Sequence, residues 1–128
     1  MTTGASVLST LESYLKLTTT REQAIAANMA NVDTPGYRTR DVNFERELQR
    51  AMTAPLTEAS FQMSGGGSAE VSPALKQVQG LMERPDGNNV SLDREGLLLS
   101  ETQLKYQIGI QLMKHEFHGL LSAISGGN

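Results

Sequence analysis

The chain contains no cysteine and no tryptophan, and only 5% of its 128 residues are aromatic. Without cysteine there is no disulfide framework, no thiol nucleophile and no thiolate ligand for a metal. With so few aromatics, a 38% share of hydrophobic residues is a lean supply for a globular core. A basic excess is missing too. The net charge is −3 and the isoelectric point is near 5.3, so nothing marks a polycationic surface for nucleic acid. No apolar run approaches the roughly 20 residues of a membrane-spanning helix. The opening residues, Met1-Thr2-Thr3-Gly4-Ala5-Ser6, have neither the basic nor the apolar region of a Sec-type signal peptide. Composition alone reads as a cytosolic chain forming one small domain.

What the sequence does have is heptad spacing at both ends. Leu8, Leu11, Leu15, Thr18, Glu22, Ile25, Met29 and Val32 follow one another by alternating steps of three and four, the a/d seam of a coiled coil. Thr18 and Glu22 interrupt its apolar character. The spacing predicts a helix from about Ala5 to Val32, roughly 42 Å long, with Ser9 and Glu12 at capping-box spacing near its start. From Ser91 or Asp93 to about Ile124 the pattern returns in Leu99, Gln103, Tyr106, Ile110, Met113, Phe117, Leu120 and Ile124. A second stripe on that helix, Leu97, Leu104, Ile108 and Leu112, lies nearly opposite, because residues two apart sit about 200° around a helix. A helix apolar on two faces is normally covered on two faces. Gly96, Gly109 and Gly119 should weaken it locally.

The stretch between is different. Arg38-Thr39-Arg40-Asp41-Val42 should be extended. Asn43 is placed to cap a short helix through Met52, with Phe44, Leu48, Ala51 and Met52 on one side and Pro55 ending it. Ser64-Gly65-Gly66-Gly67-Ser68 has linker composition. Residues 75–82 suit a strand or a poor helix, and Pro85-Asp86-Gly87-Asn88-Asn89 is a turn cluster. The expected fold class is mainly α. Long N- and C-terminal helices pair as a coiled coil, and an irregular middle has room for a short helix and short strands. The divisions fall at 1–33, 34–90 and 91–128. Such a hairpin alone is marginal, since ordering each residue costs about 1–2 kcal/mol. The terminal helices are therefore expected to order fully only against neighbouring subunits. Each terminal segment also carries two acidic and two basic side chains, a low charge that suits a crowded position: Glu12, Lys16, Arg21 and Glu22 in 1–32, and Glu101, Lys105, Lys114 and Glu116 in 97–128.

No catalytic constellation emerges. His115-Glu116-Phe117-His118 is one residue short of the H-E-x-x-H zinc motif and has no evident third ligand. The glycine run 65–67 lacks the Lys and Ser/Thr of a phosphate loop. Carboxylates are scattered, so neither an enzyme, a cofactor, a metal nor a small-molecule substrate is expected.

The most informative stretch is Asn28-Met29-Ala30-Asn31-Val32-Asp33-Thr34-Pro35-Gly36-Tyr37. It begins as helix and cannot end as one. Pro35 pushes Thr34 out of the α region, Gly36 is free to take positive φ, and Asn31 and Asp33 can bond nearby backbone. These residues resemble the N-terminal signature of bacterial flagellar axial proteins, the rod, hook and hook-associated family, which runs Asn-hydrophobic-Ala-Asn-x-Asn/Asp-Thr-Pro-Gly-Tyr/Phe. The likeness continues more weakly in Asn88-Asn89-Val90-Ser91-Leu92-Asp93-Arg94-Glu95. The family's C-terminal signature is only partly matched, by Lys105-Tyr106. The chain is too short for the long inserted domains of hook and distal-rod members, so the resemblance is to the short rod subunits.

That resemblance implies a structural role. Copies would stack helically into the proximal rod of the basal body, transmit torque and support motility. Export would use the flagellar type III route without a cleaved signal, against the cytosolic reading of composition. Implied partners are further copies of the chain, FlgC-like and FliE-like rod subunits, the MS ring and the export gate. The seam residues and the second stripe would pack between subunits. Asn31, Pro35 and Gly36 would set the turn and Tyr37 would pack it, with Asn28, Ala30, Asp33 and Thr34 completing the motif. A FlgC-like sister subunit, or a soluble helical export chaperone or adaptor, is the alternative.

Overall fold

The computed structural model describes residues 4–53 and 73–126. Helix α1 runs Gly4–Ala30, strand β1 Arg40–Val42, helix α2 Phe44–Thr53, strand β2 Leu75–Gln77 and helix α3 Leu92–Ser125. The two long helices form an antiparallel hairpin, with Asn28 beside Glu95 at one end and Tyr14 and Leu15 against Gly109 further along. The linker run 64–68 and Pro55 lie outside the described residues.

Local chemistry explains the boundaries. Helix α1 ends at Ala30, two residues short of the Val32 that the heptad pattern suggests. Asn31 is the cause: its main-chain N–H is shared between the carbonyls of Ala27 and Asn28, and its side-chain amide also donates to Ala27, at 2.8 Å. Ser9 and Glu12 stand inside α1 and cap nothing, since the helix already runs from Gly4. Asn43 does cap α2, its Oδ1 accepting from the Arg46 N–H at 3.2 Å. Glu45 and Glu47 occupy the first turn of α2 and Arg50 the last, as the helix dipole favours. Ser91 caps α3, its hydroxyl oxygen accepting from the Arg94 N–H.

The two strands pair antiparallel, with Arg40 opposite Gln77, Asp41 opposite Lys76 and Val42 opposite Leu75. Strand β1 packs on α1 and buries Val42, whereas β2 is exposed throughout. Helix α2 joins α1 through an edge-to-face contact of Phe44 with Tyr14, ring centres 5.5 Å apart, and the Lys105 ammonium of α3 sits 4.5 Å over the same Phe44 ring. The small apolar core is Leu17, Ala24 and Ile25 of α1 with Val42 and Val90.

The helices pair as a hairpin, but α3 does not turn its apolar stripe squarely to α1. The residues it buries are Glu95, Thr102 and Gly109, one heptad apart. Leu99, Ile110, Met113 and Leu120 are half-buried beside that line, while Tyr106, Phe117 and Ile124 are exposed. The opposite stripe of Leu97, Leu104, Ile108 and Leu112 is exposed as well. Gly109 allows the small line to face inward closely. A Cβ there would lie 2.8 Å from Leu15 Cδ2 and 3.0 Å from the Tyr14 ring, so the missing side chain lets α1 come close. The expectation that Gly109 merely weakens α3 overlooked this contact. On α1, Thr18 and Ile25 are buried, and Leu8, Leu11, Leu15, Glu22 and Met29 are half-buried, as is Val32 just past its end.

Candidate functional site

Among the described residues, side-chain hydrogen bonds concentrate at the hairpin's closed end, where α1 stops and α3 starts. Its centre is Asn28, buried in the last turns of α1. The amide nitrogen of Asn28 donates to the Arg40 carbonyl at 2.8 Å and to Glu95 Oε2 at 3.1 Å. Its oxygen accepts from the Arg40 N–H at 3.1 Å and from the Tyr37 hydroxyl at 3.2 Å. One side chain therefore joins α1, the turn, β1 and α3. A hydrophobic residue of the same size could satisfy none of these groups.

Glu95 is wholly buried, which an unpaired carboxylate could not tolerate. Its Oε1 accepts from Arg94 Nη1 at 2.8 Å. Arg94 Nη2 also lies 3.8 Å from Asp41 Oδ2, and Asp41 is gripped through both oxygens by Arg21 of α1 at 3.0 and 3.1 Å. Two guanidinium and two carboxylate groups thus compensate one another across α1, β1 and α3.

The turn is built on three further asparagines, Asn31, Asn88 and Asn89. Thr34 donates its hydroxyl to Asn31 Oδ1 and its N–H to the Asn31 carbonyl, both at 3.0 Å. Gly36 takes φ +75°, the left-handed region, and its N–H bonds the Asp86 carbonyl of the 85–89 turn. There Gly87, at φ +85°, passes so near Gly36 that a Cβ on it would stand 3.3 Å from the Gly36 Cα. Asn88 donates to the carbonyls of both Asn31 and Thr34 at 2.9 Å and accepts from the Val90 N–H at 2.8 Å. Asn89 Oδ1 accepts from the Thr39 N–H at 2.7 Å, and the Asn89 carbonyl accepts from the Thr39 hydroxyl. The Arg84 guanidinium closes the end of α1 by donating to the Val32 carbonyl. Among the described residues no buried side-chain nitrogen or oxygen lacks a partner.

The motif residues divide by burial. Asn28 is buried, Asn31 and Tyr37 are half-buried, and Ala30, Asp33, Thr34, Pro35 and Gly36 are exposed. The structure brings Asn28, Asn31, Thr34, Gly36 and Tyr37 into one network. The exposed Ala30, Asp33 and Pro35 lie along the same turn. Sequence reasoning missed Asn88, Asn89, Glu95 and Thr39 as members. The available signal was two adjacent amides between a Gly turn and a helix cap, a place where short polar side chains satisfy backbone. His115 and His118 are exposed, and among the described residues no group of three or more metal-ligating side chains is found. Nor is any described helix long and apolar enough to cross a membrane.

Paired terminal helices, a hydrogen-bonded turn that carries the signature and exposed apolar faces on α3 fit the class of axial proteins that the motif resembles. No family model matches the chain. Flagellar basal body rod protein FlgB of Salmonella typhimurium strain LT2 is 33% identical over 123 residues, 89% of each chain. The same protein of Escherichia coli K12 is 32% identical over 124 residues, again 89% of each, and that of Cereibacter sphaeroides 35% over 123 residues, 88% of each. The chain belongs to the FlgB family of flagellar basal body rod proteins, structural components of the flagellum.

Proposed function

We propose that this chain is a proximal-rod subunit that stacks helically with its own copies, carries torque without catalysing a reaction, and is required for motility. The observation that carries this reading is the pair of apolar faces left bare on α3. Leu97 is 71% exposed and Leu104 58% on one face, and Phe117 is 57% exposed on another. Faces of this kind in a hairpin call for neighbouring helices. On this reading the seam residues and the Leu104, Ile108, Leu112 stripe pack between subunits, FlgC-like and FliE-like subunits adjoin, and the MS ring and export gate lie at the base. The rod would stand within the MS ring and periplasm, with export independent of a cleaved signal. The turn through Asn31, Pro35, Gly36 and Tyr37 sets the angle at which the outer segment leaves the inner helices.

The test is to trace the chain through purified hook–basal bodies from motile cells. Recovery in the rod fraction that survives detergent and acid is the expected result. Confinement to the cytoplasm as a discrete dimer would overturn the reading and favour an export chaperone or adaptor.

A further inference from the structure

The contact between α1 and α3 runs against the distribution of apolar side chains on α3. The line facing α1 is Glu95, Thr102 and Gly109, whereas Leu99, Tyr106 and Met113 stand four residues after each of these, about 40° further round the helix. Ile110 and Phe117 lie further round in the same direction. A roll of α3 by roughly 70° would set this apolar flank against Leu11, Leu15 and Ile25 of α1. Such a roll would cover Tyr106 and Phe117, the members of the flank that the observed facing leaves exposed.

The buried hydroxyls do not oppose it. Thr102 donates to the Leu98 carbonyl of its own helix, and Thr18 to the Leu15 carbonyl of its own, each at 2.6 Å, so neither recognises the facing helix. Asn28 to Glu95 is a direct side-chain hydrogen bond between the two helices, and Arg94 adds an indirect tie through Asp41 to Arg21 of α1. Each partner is also held by other groups. Asn28 is fixed by the Arg40 main chain and the Tyr37 hydroxyl, and Glu95 by Arg94 leaning on Asp41. Rolling α3 would carry Glu95 away from Asn28 and leave a buried carboxylate with half its partners. Buried polar pairs are known to select one helix arrangement at a cost in stability.

We propose that the Asn28–Glu95 pair is a rotational lock: it holds the small, polar line of α3 against α1 and so keeps the flank bearing Tyr106 and Phe117 uncovered. Releasing the pair lets α3 roll and bury that flank within the same chain. The lock is a property of the hairpin itself and does not depend on which assembly the protein joins.

Because the chain has no cysteine, single thiols can report the facing of α3 directly. Thr102→Cys marks the buried line and Gln103→Cys the exposed shoulder that a roll would cover. Each is placed in the otherwise native chain, in Glu95→Leu and in Glu95→Gln, and alkylation by N-ethylmaleimide is timed under native conditions beside helical circular dichroism. The native chain and Glu95→Gln, which still offers Asn28 an acceptor, should alkylate at 103 faster than at 102. Glu95→Leu should keep its helicity and invert that order. A helical Glu95→Leu with the native order would overturn the lock. So would loss of helicity with both thiols fast, which would make Glu95 a stability contact only, and so would a Glu95→Gln variant that behaves like Glu95→Leu.

Discussion

The side-chain amide of Asn88 donates to two main-chain carbonyls, those of Asn31 and Thr34, across more than fifty residues of sequence, at 2.9 Å each. One buried residue thus gives a second donor to two carbonyls of the turn after α1, which also accept from the Thr34 and Tyr37 N–H groups. Asn88→Ala should lower unfolding stability by about 1–3 kcal/mol, since it strands the buried Val90 N–H and takes one of two donors from each carbonyl. Asn88→Asp should cost more, because a carboxylate cannot donate to either carbonyl. Urea midpoints at constant slope check both.

The two turn glycines should differ in their tolerance of alanine. Both hold positive φ, so either substitution costs about 1 kcal/mol or more in backbone strain. Around Gly36 there is open space, but a Cβ on Gly87 meets the Gly36 Cα at 3.3 Å. Gly87→Ala should therefore be the more damaging, and Gly36→Ala should lose little more than the strain. Paired thermal melts of the two variants decide the order.

On α3 two glycines should respond with opposite sign. Gly119 has nothing within 4 Å of an added Cβ, so Gly119→Ala should raise stability by about 0.5–1 kcal/mol through helix propensity. Gly109→Ala gains the same propensity but drives a methyl to 2.8 Å from Leu15, and overpacking costs about 1–3 kcal/mol. A net loss at 109 beside a gain at 119, by denaturant titration, is the expected pattern.

These glycines show where sequence patterning was sufficient and where it was not. The termini of α2 and α3 were legible because Asn43 and Ser91 are short acceptors placed before helical runs, a purely local signal. The turn at 34–37 was legible for the same reason: Pro35 and Gly36 act on their own backbone. The facing of α3 was not, because heptad spacing reports which side is apolar and not which side a partner approaches most closely. Gly109 and the Asn28–Glu95 pair decide that, and both depend on residues far away in sequence. The buried roles of Asn88 and Asn89 were hidden likewise, since a turn-forming amide looks the same whether it bonds its own loop or another.

Burial raises the pKa of the Tyr14 phenol, so its phenolate should form at higher pH than that of a free tyrosine. The folded state then binds this proton more tightly than the unfolded chain does. Stability should be unaffected by Tyr14 in neutral solution and should fall as pH rises above the ordinary phenol range near 10. Tyr14→Phe removes the ionisable hydroxyl and keeps the ring that meets Phe44 edge-to-face. Ultraviolet titration of phenolate, together with melts at alkaline pH, should show a shallower loss of stability in Tyr14→Phe.

Assembly and folding should separate at Leu104. Its side chain is 58% exposed on the face of α3 opposite the buried line, so the free chain gains little from it. Leu104→Glu should change the unfolding midpoint by no more than about 0.5 kcal/mol, as exposed substitutions away from special contacts do. In a stacked rod the same carboxylate would be pressed against a neighbour's apolar helix, where an unpaired charge is costly. Cells carrying Leu104→Glu should therefore make a folded, soluble subunit yet yield no hook–basal bodies containing it and no swimming. An exposed position on α2, such as Gln49→Glu, serves as the control for an added negative charge and should leave motility intact. Normal rods built from Leu104→Glu would show that this stripe faces solvent after assembly, and the flank bearing Tyr106 and Phe117 would then be the surface between subunits.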